Sequence, residues 1–492
     1  MNPYQPRYEG ARWAIVYGSN QAVEQFALET LYRKVQACLP YVLGLYPATE
    51  LTPDLQQMNL ILIGTPQNNP WIEQVLQDKA RLDEAQGYLI AGMASPWQAQ
   101  RRVVILSGGG PAGVLYGVQD FIARILSTGI TPEKPTPTRL RQAFDALGDF
   151  WMQEQPMIAN RGIWTWGYVI YDYRRFLDHM ARLKMNLLTI WNDCPPVNIA
   201  EVIAYAHSRG IRILLGFSWG WGMPFDISLP AQRQKIKEMV LAEFKEKYAH
   251  LGMDGIYFQT LTEHDHTELG GQSVARLTCE MVNEIAHSLL AIQPGLSIQF
   301  GLHATSIQDR YPDLSDLDTR VTIAWEDAGV LPYAYIPMIE RSSPPGSTPF
   351  HLDTLAETLE YSQKLASFRP GTEFAIVPKG WSNLDWADEF EHHGPFLLGV
   401  RDADFIRERM RQRQPYWQRI DALWLKYYRH AVDFYRAILS GGVKMTVTGL
   451  VEDGVIEECI PLSLAIFAET LWNPGRDAED ILQLALSPYY RQ

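Results

Sequence analysis

The chain has 492 residues, with 43 Lys and Arg against 56 Asp and Glu and a formal charge of −13 at pH 7. This acidic balance argues against a nucleic-acid partner held through its phosphates. The 47% hydrophobic and 20% charged fractions are those of a globular protein rather than a disordered or fibrous one. Such a length exceeds what one core fills, so more than one domain is expected. Cys38, Cys194, Cys279 and Cys459 lie far apart and form no CxxC pair, so neither a disulfide framework nor a structural zinc site is expected. The N-terminus shows no basic region followed by an apolar run, and no stretch approaches the roughly 18–20 apolar residues of a membrane span. A cytoplasmic location without a membrane partner is the expectation.

The first elements in chain order are a strand over residues 11–18 and a helix over 21–38. The helix places Val23, Phe26, Ala27, Leu31 and Val35 near helical spacing. Strands follow at 59–64, Tyr88–Ala91 and Val103–Leu106, then a helix from Ala112 to Leu126. Together they predict a small N-terminal α/β accessory domain over residues 1–145. Its turn Ser107-Gly108-Gly109-Gly110-Pro111 stands where a phosphate loop would stand. It lacks the Lys and Ser/Thr of a Walker motif and the GxGxxG spacing, so it reads as a tight strand-to-helix turn. Residues 129–139 carry three prolines and no apolar periodicity, which marks a linker or strap.

From Asn160 the pattern alternates. Strands are expected at Arg161–Trp166, Asn186–Trp191, Ile211–Phe217, Met253–Phe258, Leu296–Gly301, Val321–Trp325, Phe374–Pro378 and Lys444–Thr448. The helices between and after them are expected at Tyr173–Leu183, Val197–Ser208, Ala231–His250, 272–290, Leu352–Phe368, Asp402–Ile438 (with an extra element) and Ile460–Leu471. Asp309–Arg320 reads as irregular or as a short helix. Eight strand–helix units in succession predict a (β/α)8 TIM barrel over residues 146–492. An open doubly wound sheet is the alternative, and it needs a reversal of strand order.

In such a barrel the chemistry lies at the C-terminal strand ends. Those ends carry Trp164, Trp166, Trp191 and Asn192 from the first two strands, and Trp219 and Trp221 from the third. The fourth supplies Glu263 with His264 and His266, and the fifth His303. The sixth supplies Trp325, Glu326 and Asp327, and the seventh Lys379, Trp381 and Asp385. Carboxylates for acid–base work, aromatic faces for sugar rings and polar groups for hydroxyls point to a small-molecule carbohydrate substrate. Glycoside hydrolysis needs two carboxyl groups across the bond. Glu263 is the expected general acid, kept protonated by surrounding aromatics. Glu326 is the expected base or nucleophile, with Asp327 and Asp385 as substitutes. Arg161 begins the first strand, where it either reaches in to bind hydroxyls or forms a structural ion pair.

The run His264-Asp265-His266 permits a metal-dependent hydrolase or isomerase. The metal-free reading is preferred because His303 is the one further strand-end histidine the sequence places. A carbohydrate-binding protein without turnover is the other alternative. The sequence gives no oligomeric state.

Four motifs bear a resemblance to a known group. They are Gly113-Val114-Leu115-Tyr116-Gly117-Val118-Gln119-Asp120-Phe121, Asn160-Arg161-Gly162, Asp254-Gly255 with Thr262-Glu263, and Leu471-Trp472-Asn473-Pro474 followed by Asp477 to Ile481. In that order they resemble the alpha-glucuronidase-like glycoside hydrolases and, more loosely, hexosaminidase-type barrels. The resemblance implies an accessory domain before a catalytic barrel, no cofactor, and Glu263 as general acid. It implies Glu326 or Asp327 as the second carboxylate by strand position alone, and a uronic-acid-bearing or otherwise modified sugar as one substrate expectation. Thr262-Glu263 stands where hexosaminidases carry an Asp-Glu pair, which argues against acetamido-assisted chemistry.

Overall fold

The computed structural model describes residues 11–77, 82–127, 144–192, 194–263, 266–329, 331–332, 352, 354–381, 396–399, 402–451 and 455–491. The linker expected at 129–139 lies outside them. The chain divides into two compact units. One is Met1–Pro156 with Ser208–Gly210 and Ser487–Gln492, and the other is Met157–His207 with Ile211–Leu486.

The first unit holds strands β1 (Trp13–Tyr17), β2 (Gly44–Pro47), β3 (Asn59–Gly64), β4 (Tyr88–Ala94), β5 (Arg102–Gly108) and β6 (Phe150–Glu154). They form one sheet in the order β2-β1-β3-β5-β4-β6. β2, β1, β3 and β5 run parallel, and β4 is antiparallel to both of its neighbours. Helices α1 (Ala22–Gln36), α2 (Pro70–Leu76) and α3 (Pro111–Asp120) accompany it. Ala14, Val16, Leu60, Leu62, Leu89 and Ile105 share one sheet face and pack with Ile72 and Val75 of α2. The two outer strands, β2 and β6, escaped the sequence reading because none of their residues is fully buried, so neither carries a strong apolar period. The glycine turn between β5 and α3 is filled by the chain itself. The Gly109 amide donates to the Gly87 carbonyl at 2.9 Å, and a Cβ on Gly109 would collide with the Glu84 carbonyl.

The second unit is a closed barrel. Its strands are β7 (Asn160–Trp166), β8 (Leu187–Trp191), β9 (Arg212–Ser218), β10 (Gly255–Gln259), β13 (Ser297–Leu302), β14 (Val321–Trp325), β15 (Glu373–Ile376) and β16 (Lys444–Leu450). A two-residue hairpin, β11 (Glu268–Leu269) with β12 (Gln272–Ser273), stands apart after β10. Each barrel strand pairs in parallel with the next, and β16 closes on β7. This is the eightfold barrel the alternation predicted, and strand order never reverses. The helices are α4 (Tyr173–Arg182), α5 (Ile199–His207), α6 (Pro230–Glu243), α7 (Val274–Ile292), α8 (Leu355–Ser367), α9 (Ala403–Leu439), α10 (Leu462–Trp472) and α11 (Ala478–Ala485). α9 is one continuous helix where an extra element was expected. Several starts are written in the sequence. Asp172, Ser273, Asp402 and Asp477 each accept a backbone amide of the first turn, and Thr354 with Glu357 forms a capping box.

Because helices cover the outside and side chains fill the inside, each barrel strand is buried on both faces. Trp164, Trp191, Tyr257, Ala324, Ala375, Val377 and Leu450 form the inner cluster. Phe217, Trp219, Phe258 and Phe300 alternate with the inner positions and stack as an outer layer, with Trp219 on Phe258 at 3.5 Å and Phe258 on Phe300 at 5.1 Å. This alternation decides which strand-end residues reach the barrel mouth.

Candidate active site

The densest chemistry stands at the C-terminal ends of β10, β13, β14 and β15. Glu326 follows β14 and is buried. Its Oε1 accepts the hydroxyl of Tyr257 and, at 2.5 Å, the side-chain amide of Gln259. Its Oε2 faces two cationic groups, His303 Nε2 at 3.6 Å and Lys379 Nζ at 3.7 Å. One carboxyl oxygen is therefore tied by short hydrogen bonds, while the other stands between positive charges beyond hydrogen-bond distance. Gly301 makes room for this pair, since a Cβ there would collide with both the Tyr257 hydroxyl and Glu326 Oε1.

The second side of His303 is fixed by Asp327. Asp327 Oδ1 lies 3.2 Å from His303 Nδ1, and its Oδ2 accepts the Ala304 amide at 2.6 Å. Burial alone would push the His303 pKa down. The charges of Glu326 and then Asp327 outweigh it and raise the imidazole to about 9, so it is protonated at neutral pH. Burial works to raise the pKa of Asp327, but the charge and hydrogen bond of His303, with Lys379 and the Ala304 amide, carry it below the ordinary carboxylate value. Burial, and next the charge of Glu326, pushes the Tyr257 phenol well above its ordinary pKa, which keeps it a hydrogen-bond donor.

Aromatic rings adjoin this polar cluster. Trp164 stacks with Trp191 at 6.4 Å and meets Trp166 and Tyr257 edge-on at 5.4 and 5.7 Å. Tyr257 thus links the tryptophans to the Glu326 carboxylate. Among the described residues, the Trp164 indole nitrogen and His303 Nε2 are buried without a hydrogen-bond partner. Inward donors of this kind suit an acceptor-rich ligand.

Glu263 lies in the loop after β10, and its side chain is exposed. Among the described residues the aromatic group that meets it is Trp221, whose indole donates to Glu263 Oε2 at 2.8 Å. The neighbouring backbone is pinned, however. Thr262 is fully buried, and its carbonyl accepts from Thr305 Oγ1 at 3.0 Å and the Ser306 amide at 3.1 Å.

Several expected ligand contacts are corrected. Arg161 lies at the start of β7, at the barrel end away from Glu326. Its guanidinium donates to the carbonyls of Lys184, Ile158 and Ala159 and covers the Trp472 ring at 5.1 Å. Trp219 and Trp325 take the outward parity; Trp325 meets Tyr361 of α8 at 4.7 Å. Trp381 is buried against Trp424 at 4.6 Å and Phe467 at 4.8 Å. Asn192 sits among Ile190, Cys194, Leu215 and Tyr248. His266 is exposed, and His264 and Asp385 lie outside the described residues. Among the described residues, no group of three or more His, Cys, Asp and Glu is arranged to hold a metal ion, and no helix is long and apolar enough to cross a membrane.

The structure therefore brings together Trp164, Trp166, Trp191, His303, Glu326, Asp327 and Lys379. It adds Tyr257 and Gln259, which sequence reasoning missed. Their signal was present: Gln259 is a polar residue ending a buried strand, and Tyr257 shares its face two residues earlier.

No family model matches the chain, and no curated protein matches it. Among solved structures, CpGH84D is similar at 10% identity over 97% of this chain and 68% of that one, with a TM-score of 0.50. The GH20 exo beta-N-acetylglucosaminidase of Vibrio harveyi is similar at 12% identity over 98% and 74%, with a TM-score of 0.48. The beta-N-acetylhexosaminidase of Bacteroides fragilis NCTC 9343 is similar at 11% identity over 84% and 92%, with a TM-score of 0.44. At these identities the likeness is one of fold. The alpha-glucuronidase-like resemblance read from the sequence is not confirmed.

Proposed function

We propose that the chain is a glycoside hydrolase acting at the C-terminal mouth of the barrel. The observation that carries this reading is the Glu326 carboxylate, with Oε1 tied by Tyr257 and Gln259 and Oε2 facing His303 and Lys379 beside an aromatic wall. Oε2 either attacks the anomeric carbon or takes a proton from the attacking water. Glu263 gives its proton to the leaving oxygen. Asp327 positions the imidazolium of His303, whose Nε2 donates to a sugar hydroxyl. The tryptophan faces receive the apolar face of the ring.

The described cluster contains two carboxylates, Glu326 and Asp327, and two cations, His303 and Lys379. Their charges balance, which favours a neutral pyranoside over a uronide at this site.

The test is a panel of aryl glycosides and uronides, with Glu263→Gln and Glu326→Gln beside the native protein. Each substitution is expected to lower kcat on an unactivated glycoside by about 10²–10⁴-fold while ligand binding persists. Unchanged hydrolysis in Glu326→Gln refutes the reading, and NMR of the first-formed anomer separates retention from inversion.

A further inference from the structure

The loop after β9 sets an indole in solvent beside the proposed acid. Gly220 and Gly222 flank Trp221 at φ +84° and +74°, a conformation a side chain strains against. The Met223 amide donates to the Gly220 carbonyl at 3.1 Å, and the Ser218 hydroxyl donates to the Trp221 carbonyl at 3.0 Å. Trp221 is 40% exposed and Met223 42%, whereas Trp219 in the same loop is fully buried. A single exposed apolar side chain is ordinary. This one is not loose, because its Nε1 donates to Glu263 Oε2 at 2.8 Å.

We infer that Trp221 is the platform for the leaving group. Its ring face receives an aglycone with a flat apolar face, a second sugar ring or an aryl group, and its N–H orients the acid. This rests on the assignment of Glu263 as proton donor. An indole N–H can only donate, so Oε2 is an acceptor, and the proton that the acid gives up comes from Oε1. As the glycosidic C–O bond breaks, its electron pair goes to the leaving oxygen, which takes that proton. Glu263 becomes a carboxylate with the N–H still on Oε2. The new bond to the anomeric carbon comes from Glu326 or from the water it deprotonates.

The experiment compares native protein with Trp221→Phe and Trp221→Leu on the methyl glycoside, the 2,4-dinitrophenyl glycoside and a disaccharide of one sugar. A dinitrophenolate leaves without a proton, whereas a methoxide needs one. Trp221→Phe is expected to lower kcat by about tenfold or more on the methyl glycoside and far less on the dinitrophenyl glycoside. Trp221→Leu is expected to raise KM for the disaccharide as well. Equal losses on all three substrates mean a structural role and overturn the inference. If the native protein hydrolyses none of them, calorimetry with a thio-linked disaccharide and the free monosaccharide decides. Weaker binding of the disaccharide alone by Trp221→Leu keeps the platform while the acid assignment fails, and unchanged binding of both overturns the platform.

Discussion

His303 Nδ1 lies 3.2 Å from Asp327 Oδ1, while its Nε2 lies 3.6 Å from Glu326 Oε2. The imidazole thus bridges two carboxylates, and its pKa rises from 6.5 to about 9. A group raised in the folded state contributes stability fully below its unfolded pKa and loses it as pH rises through the folded one. Stability from His303 is therefore complete below about pH 6.5 and lost towards pH 9 and above. We expect the alkaline limb of kcat/KM to fall near pH 9 and to move in His303→Asn. A limb left in place by that substitution contradicts the role given to His303.

Tyr257→Phe removes the hydroxyl from Glu326 Oε1 and leaves the inner ring packing in place. A hydrogen bond to a charged group contributes about 1.5–3 kcal/mol. Stability should fall by about that amount, and activity by about 10–100-fold. Steady-state kinetics and calorimetry on one preparation check both halves.

Gly301→Ala adds a methyl where the Tyr257 hydroxyl and Glu326 Oε1 stand. The pair must separate or β13 must shift, so activity should drop at least as far as in Tyr257→Phe. Activity within a factor of two of the native protein would sink this account of the close approach.

Arg161→Ala tests the structural reading of that residue. It strips donors from the carbonyls of Lys184, Ile158 and Ala159. The loss should be about 3 kcal/mol or more by denaturant titration, with KM of the folded fraction unchanged. A raised KM at unchanged stability would return Arg161 to the substrate site.

Trp325→Ala opens a cavity against Tyr361 and should cost about 3–5 kcal/mol. Trp164→Ala should also lower stability but should in addition raise KM, because Trp164 belongs to the inner wall. The contrast between two tryptophans at strand ends is read by pairing unfolding curves with kinetics.

The sequence by itself determined the order of elements. Runs such as Leu187–Trp191 and Val321–Trp325 are apolar and short, the segments between them have helical period, and the caps at Ser273 and Thr354 mark where helices begin. It also picked out Glu326, Asp327, His303 and Lys379, because ionisable residues directly after buried strands stand out.

What it did not determine was the direction in which each strand-end side chain points. A barrel strand is buried on both faces, so its apolar run carries no alternation from which to read inside and outside. Closure of β16 on β7 supplied that decision. It turned Trp164 and Trp191 to the inner wall, sent Trp219 and Trp325 against the helices, and brought the Tyr257 hydroxyl to the Glu326 carboxylate across 69 residues of chain.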